Sequence, residues 1–434
     1  MAIRLADIDL TEPLPYIGNI GEYSAMWLCI REKGIPIGYV RIPNSGDSIT
    51  VEMLAEEIRR QCHRSIRKAA CKSGCEPPIS DEMPDDRSVS NTTNGSLLPY
   101  ISVIVCTRFR PESLARTLDA LLLMDYPHYE IIVVDNAPPN EATKELLEGY
   151  TDVRYLLEPR AGTNRARNTG ISCANGEIVA FIDDDAVPDP RWLRGIAAGF
   201  ADPSIGCVTG LILPAEMETP AQELFEMGYG GFGIGFRKIV LRIDTWKYAQ
   251  YLPDIGQGCN MAFRKDLLYK FGLFDVVLDG GTPTRGGGEI DMFHLTLRAG
   301  YGIEYRPDAL MFHNHRRDLR DLRSQVCGYS LAYTSLITKW FVTEPKCRLA
   351  ILMFLCFWYK AWFLRRIKRK LFGQEATPID LIALEAVYSL AGPSAYFKSL
   401  RNTRRLERAA GPTVGHQVIV NGGENGVQTK NTIQ

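Results

Sequence analysis

Apolar residues follow two different periods along this chain, and the switches between them divide it. From Ala25 to Pro43, AMWLCIREKGIPIGYVRIP reads as two β-rich runs around Glu32-Lys33-Gly34, a hairpin signal, and Val51 to Lys68 then has the spacing of an amphipathic helix. Together they predict a small N-terminal α/β module over residues 1–71. Residues 72–99, rich in Pro, Ser, Asn and Asp without apolar periodicity, predict a flexible linker. From Tyr100 onward, short apolar runs alternate with helical patterns: strands at Ile101–Cys106, Glu130–Asp135, Val153–Leu157 and Ile178–Ile182, helices at Pro111–Leu123, Asn140–Glu148 and Gly162–Ala174. That alternation predicts a mostly parallel α/β sheet over residues 100–320, in which polar residues at the carboxyl ends of strands are the first candidates for chemistry.

After Asp318 the pattern becomes helical, so residues 321–410 are expected to be a helical region. Leu349 to Leu364 is an apolar run of 16 residues with Lys360 inside it, followed by the basic cluster Arg365-Arg366-Ile367-Lys368-Arg369-Lys370. The run falls short of the roughly 20 residues that span a bilayer, so a buried or interfacial helix is expected. Trp and Tyr beside the basic cluster favour peripheral contact with an anionic cytoplasmic membrane face through residues 349–370. The tail over 411–434, rich in Gly, Asn and Gln, is expected to be disordered.

Two strand ends carry carboxylates. Ile131–Val134 leads into Asp135-Asn136, and Ile178–Ile182 into Asp183-Asp184-Asp185. Three adjacent carboxylates repel unless a cation or strong donor sits among them, and a divalent metal shared with a substrate diphosphate would fill that need. The simpler alternative is a solvated acidic turn. The segment Arg160-Ala161-Gly162-Thr163-Asn164-Arg165-Ala166-Arg167-Asn168 opens a helix at the same sheet edge with arginines able to reach phosphates, unless they are merely an exposed helix face. Further on, Gly256-Gln257-Gly258-Cys259-Asn260 lets backbone approach a ligand. Gly286-Gly287-Gly288-Glu289-Ile290-Asp291 sets two acids at the start of a helix over Met292–Ala299, which a plain N-terminal turn would also explain. A short strand at Gly302–Tyr305 and Pro307 then precede His313, His315 and Arg316.

Composition narrows the class. With 45% hydrophobic and 23% charged residues and a mean hydropathy of −0.11, the chain is neither wholly disordered nor a bundle of many membrane helices. The 50 Lys+Arg against 51 Asp+Glu leave a net charge of −1, which argues against a nucleic-acid binder. The 11 cysteines are odd in number and scattered, so no disulfide framework is expected, and Cys71 with Cys75 lacks the second pair a zinc site requires. The N-terminus MAIRLADIDLTEP has no apolar run of leader length, and a cytoplasmic location is expected.

The run SVIVCTRFRPESLARTLDALLLMDYPHYEIIVVDN, then RAGTNRARNTG, FIDDDAVPDPRWL, GCNMAFRKDLL and GGGEIDMFHLTLRAGY, in that order, strongly resembles the family 2 glycosyltransferases of GT-A fold over about residues 98–330. The resemblance implies an inverting enzyme that takes a sugar from a nucleotide-sugar donor, a UDP-sugar foremost, to a hydroxyl of a glycan, polysaccharide or lipid-linked saccharide, assisted by Mn²⁺ or Mg²⁺. Carried over by position, it places Thr107, Arg108, Asp135, Arg160, Arg165, Asp183 and Asp184 at the nucleotide and donor. Asp185 and His313 become metal ligands, and Cys259 and Asn260 lie in the loop facing sugar and acceptor. Glu289 takes the place of the catalytic base, where the family more often has Asp, and Asp291 is the second choice. His315 and Arg316 are candidates for the diphosphate or the acceptor. Two competing readings are a sugar-phosphate nucleotidyltransferase, which would want a Gly-rich loop where this chain has Thr107-Arg108-Phe109-Arg110-Pro111, and a catalytically idle binding module, which would not need to keep Asp183, Asp185 and Glu289.

Overall fold

The structure, a computed structural model, describes residues 2–44, 46–68, 98–243, 252, 255–372 and 377–410. Residues 72–97 of the expected linker, the Cys71/Cys75 pair and the tail from 411 lie outside the described residues.

The N-terminal strands are β1 (Ile3–Asp9), β2 (Ile17–Gly18), β3 (Ala25–Glu32), β4 (Ile35–Pro43) and β5 (Ser48–Ile49), followed by α1 (Val51–Lys68). The β3–β4 hairpin turns on Lys33 and Gly34, both with positive φ (52° and 81°), the tight two-residue geometry that matches strand twist. The chain start, read in the sequence only for its lack of a leader, is β1, which pairs in parallel with β3. Alternate residues of these strands close with Leu54 and Ile58 of α1 into a core of their own. Arg31 ties this layer to the rest of the molecule: its guanidinium bonds Asp7 at 2.8 Å and the buried Asp189 at 2.6 Å.

The central segment contains β6 (Ile101–Thr107), α2 (Pro111–Leu121), β7 (Tyr129–Asn136), α3 (Ala142–Leu147), β8 (Val153–Glu158), α4 (Thr163–Cys173), β9 (Ile178–Asp183), β10 (Ala186–Pro188), α5 (Trp192–Gly199) and β11 (Ile205–Pro214). It continues through α6 (Pro220–Leu224), β12 (Ile239–Leu241), β13 (Met261–Arg264), α7 (Lys265–Lys270), α8 (Gly288–Arg298) and β14 (Gly302–His313). The nine strands form one sheet in the order β10-β14-β11-β13-β9-β6-β7-β8, with β12 beside β14. Strands β6 to β9, β11 and β14 run parallel, and β10, β12 and β13 oppose them. The expected mixed α/β fold with a mostly parallel central sheet is therefore present. Both faces of the sheet are covered: Val103, Val105, Ile131 and Val133 point into one core, Ile104, Ile132, Val134 and Phe181 into the other, which explains why these strands read as unbroken apolar runs.

Two expectations change here. The strand placed at Gly302–Tyr305 continues through Pro307 to His313. Pairing with β11 steps from Gly210↔Arg306 to Ile212↔Met311, so Pro307–Leu310 bulge out opposite Leu211, and a proline is tolerated because no ladder bond is asked of it. Helix α8 begins at Gly288, not Met292, which brings Glu289 and Asp291 inside its first turn.

The C-terminal helices are α9 (Leu319–Thr343), α10 (Arg348–Tyr359), α11 (Arg365–Leu371), α12 (Ile379–Leu390) and α13 (Gly392–Ala410). Helix α9 packs on the sheet side through Leu336, Ile337 and Trp340 and carries α12 and α13 on its other flank. Arg366 of α11 is buried against Glu385 of α12 at 3.2 Å and stacks over the rings of Tyr229 and Trp362. The stretch read as a 16-residue apolar run lies within a longer helical segment, Pro345–Leu371, of 27 residues, which holds an 18-residue window of mean hydropathy 1.5. A buried core helix is not what is observed: only 11% of that window is buried, and Leu349, Met353, Leu364 and Leu371 are exposed.

Candidate active site

The carboxyl ends of β6, β7 and β9 open into a cleft of about 800 Å³, closed on its far side by the loop before α8, by His313 at the end of β14 and by the first turns of α9. Its floor is the acidic turn. Thr107 Oγ1 donates to Asp184 Oδ2 at 2.7 Å, and Arg110 Nη1 donates to both Asp184 Oδ1 and Asp185 Oδ2 at 3.0 Å. The turn's backbone is held from below by Thr117 Oγ1, which donates to the carbonyls of Asp184 and Ala186. Short β10 then pairs Ala186 with His313, so His313 Nε2 stands 3.2 Å from Asp185 Oδ1.

These contacts separate the three carboxyls electrostatically. Burial works against the Asp185 carboxylate, but the His313 hydrogen bond and the nearby positive charges prevail and hold it down at about 2. Asp184 is pushed up to about 6 by burial, with Arg110 pulling the other way. Asp183 is raised by desolvation and by the neighbouring Asp185 charge. Carboxyls crowded together in this way are suited to a cation, and the donors fit one: Asp183, Cys259 and His313 offer ligand atoms within 4.8 Å of one another, and the buried Nδ1 of His313 has no hydrogen-bond partner.

Of the residues singled out in the sequence, Thr107, Arg108, Asp183, Asp184, Asp185, Cys259, Glu289, His313 and Arg316 line this cleft. Others do not. Asp291, two residues after Glu289, points away: its Oδ2 accepts from Lys339 Nζ at 2.6 Å and its Oδ1 from Trp340 Nε1 at 3.0 Å. Lys339 also pairs with Asp275 at 2.6 Å. Asn260 is fully buried, accepting from Trp192 Nε1 at 2.9 Å and donating to the carbonyls of Leu211 and Ala309, the groups the β14 bulge leaves without ladder partners. It braces the sheet and is not among the residues lining the cleft. Arg160 bonds the buried Glu158 at the end of β8. Arg165 is buried outside the cleft wall, and His315 pairs with Glu226 at 2.7 Å.

Asp135 sits just beneath the cleft at the end of β7, fully buried, with Tyr155 Oη donating to its Oδ2 at 3.2 Å and its Oδ1 without a partner. Burial pushes it up to about 6. The cleft wall above it is Asn136, whose side chain accepts from Gly162 N–H at 2.8 Å and donates to the Arg160 carbonyl. Gly162 has φ +145°, and a Cβ there would lie 2.5 Å from Asp279 Oδ2, so this helix entry admits only glycine.

The helix entry read in the sequence as bringing arginines to the sheet edge does so through one of them, and two further cleft residues gave no signal in the sequence. Arg167, rather than Arg165, turns inward, bonding Asn164 at 3.2 Å and the Gly258 carbonyl at 3.3 Å above the rings of Phe181 and Phe274. Helical spacing from Thr163 and Asn164, which also line the cleft, would have pointed to it. Phe232, packed 5.3 Å from the His313 ring, and Tyr329 of α9 reach the cleft only through tertiary packing.

Comparison with known proteins follows this geometry. Residues 102–272 match the family model described as glycosyl transferase family 2. The chain is 37% identical over 231 residues to glycosyltransferase AglE of Haloferax volcanii, covering 51% of this chain and 69% of that protein. It is 28% identical over 226 residues to the pre-mycofactocin glycosyltransferase of Mycobacterium tuberculosis, covering 51% of this chain and 44% of that protein, so it spans under half the length of this relative. It is 23% identical over 184 residues to a glucosyl-dolichyl phosphate glucuronosyltransferase of Haloferax volcanii, covering 40% of this chain and 56% of that protein.

Proposed function

The chain belongs to the family 2 glycosyltransferases, and from that premise we propose that it moves a sugar, with inversion, from a nucleoside-diphosphate sugar to a hydroxyl of a saccharide or lipid-linked acceptor, with Glu289 as general base. The observation that carries this reading is that Glu289 shares one cleft with Asp183, Asp185 and His313 while the neighbouring Asp291 is engaged elsewhere.

Inversion needs one carboxylate on the acceptor side. Glu289 takes the proton from the acceptor hydroxyl as its oxygen bonds to the anomeric carbon, and the bond from that carbon to the diphosphate oxygen breaks, its electron pair leaving with the nucleoside diphosphate. General-base assistance of this kind contributes roughly 10²–10⁴-fold. Arg110, Arg167 and Arg316, all lining the cleft, offer guanidinium donors to the departing phosphates. Asp183, Asp185 and His313 are the residues that would hold Mn²⁺ or Mg²⁺, and the chemistry such a cation supplies when bound is neutralisation of charge on the diphosphate. In this reading the base of the nucleotide rests against Asn136, with Asp135 beneath it, and a UDP-sugar is the first donor to try.

A lipid-linked acceptor and a peripheral position on a membrane are supported by the exposed apolar segment Pro345–Leu371 with its basic end, and by the glucosyl-dolichyl phosphate named for one relative. The test is calorimetric titration with UDP, GDP, dTDP and CMP, with and without Mn²⁺. Tight binding of one nucleoside diphosphate that depends on Mn²⁺ supports the proposal and names the nucleotide. Binding of none by folded, full-length protein overturns the donor assignment.

A further inference from the structure

We infer that the thiol of Cys259 is a ligand of the cation site, so that this enzyme's metal is held by a mixed carboxylate, imidazole and thiolate set, which selects against Mg²⁺. The inference rests on the metal-assisted reading above and deepens it. Cys259 is 4% exposed, lines the cleft, and its sulfur lies within 4.8 Å of ligand atoms of both Asp183 and His313. Buried cysteines commonly act as small apolar side chains, and part of Cys259 does pack in the core beside Ala262 and Met311. What distinguishes it is the company of its sulfur, two carboxylates and an imidazole whose Nδ1 is buried without a hydrogen-bond partner.

The sulfur is also fixed in place. On one side of Cys259, the Gly258 carbonyl accepts from Arg167, and on the other Asn260 is bonded to Trp192, Leu211 and Ala309. A ligand held by its own neighbours loses little conformational entropy when it coordinates. On binding, the metal–sulfur bond forms as the thiol proton leaves to solvent, with no change of oxidation state. Thiolate favours borderline ions such as Zn²⁺ and Co²⁺, whereas Mg²⁺ keeps an oxygen shell and gains little from sulfur, and Mn²⁺, also a hard ion, gains less than Co²⁺.

The experiment is titration of the full chain with Co²⁺ in the presence of UDP, followed by absorption spectroscopy. A thiolate-to-cobalt charge-transfer band in the near ultraviolet is expected for the wild type and for Cys106→Ser, the other cleft thiol, and its loss in Cys259→Ser and Cys259→Ala. Co²⁺ affinity should fall by at least roughly tenfold in Cys259→Ser, with Mg²⁺ affinity changing less. Cobalt bound with ligand-field bands but no charge-transfer band in the wild type, or a band that survives in both Cys259 variants, overturns the thiolate ligand and leaves the metal-assisted reading standing. Absence of any Co²⁺ binding overturns both.

Discussion

Glu289 and Asp291 stand two residues apart in the first turn of α8 and serve opposite sides of it: Glu289 lines the cleft, and Asp291 closes an ion pair with Lys339 beneath the helix. Their replacements should therefore fail in different ways. Glu289→Gln is expected to bind nucleotide as the wild type does and to lose roughly 10²–10⁴-fold in turnover. Asp291→Asn should keep nucleotide affinity and lose about 1–3 kcal/mol of stability, because Lys339 retains Asp275 but Trp340 Nε1 loses a charged acceptor. Calorimetry and urea denaturation on both variants separate the two. A dead Asp291→Asn with unchanged stability would reverse the assignment.

Asp135 gives a pH dependence whose sign follows from its burial. Its carboxyl is raised from 3.8 to about 6, so the folded protein holds this proton more tightly than the unfolded chain. Its contribution to stability is complete below pH 4 and is lost as pH rises towards 6, by up to about 3 kcal/mol. Asp135→Asn should remove that slope and be the more stable protein at pH 7. If the ionised carboxylate receives the base, nucleotide affinity of the wild type should fall as pH drops below about 6. Melting temperature and nucleotide titration between pH 4 and 8 check both halves.

Asn260→Ala tests the bracing role of a residue whose motif resembles a ligand-facing loop. Removing its amide leaves the Leu211 and Ala309 carbonyls and Trp192 Nε1 buried without partners, an expected loss of about 3 kcal/mol or more. Nearby, a Cβ on Gly210 would meet the Ala309 carbonyl oxygen at 1.9 Å, so Gly210→Ala should be at least as damaging. Guanidinium denaturation monitored by tryptophan fluorescence reads both. A variant with normal stability and a raised KM for donor would return Asn260 to the ligand.

For the C-terminal segment, Leu349→Glu with Met353→Glu should abolish co-flotation with vesicles containing anionic lipid. Both side chains are exposed, at 72% and 66%, so stability should change by no more than about 0.5 kcal/mol. Equal flotation of wild type and variant would remove the membrane from the account.

The parts of this molecule that could be read in its sequence are those governed by local physics. Strands β6, β7 and β9 were recognisable because both sheet faces are buried there and the runs are largely apolar. The acidic turn was recognisable because like charges side by side demand an explanation. What escaped depended on position within an element or on distant partners. Three glycines before Glu289 read as loop, although Gly288 already belongs to α8, and with the true start in hand a spacing of two on a helix would have sent Glu289 and Asp291 to different faces. Pro307 read as a strand end because nothing local shows that a bulge would carry the strand past it to His313. The bracing bonds of Asn260, placed by resemblance in the loop facing sugar and acceptor, could not be read because its partners, Trp192, Leu211 and Ala309, come from three separate elements.

The short ladder between β10 and β14 has a further consequence for how the protein is made. The Asp185 carbonyl accepts from the backbone of Asn314, 129 positions away, and His313 is brought to Asp185 by the same ladder. On a ribosome, the acidic turn therefore emerges on the order of ten seconds before the histidine that completes it. A nascent chain carries its carboxylates through that interval with no imidazole beside them, and competence arises only when the last sheet strand has been threaded between β10 and β11. Truncated products ending before β14 should accordingly lack both His313 and the strand that β10, β11 and β12 pair with, and be inactive.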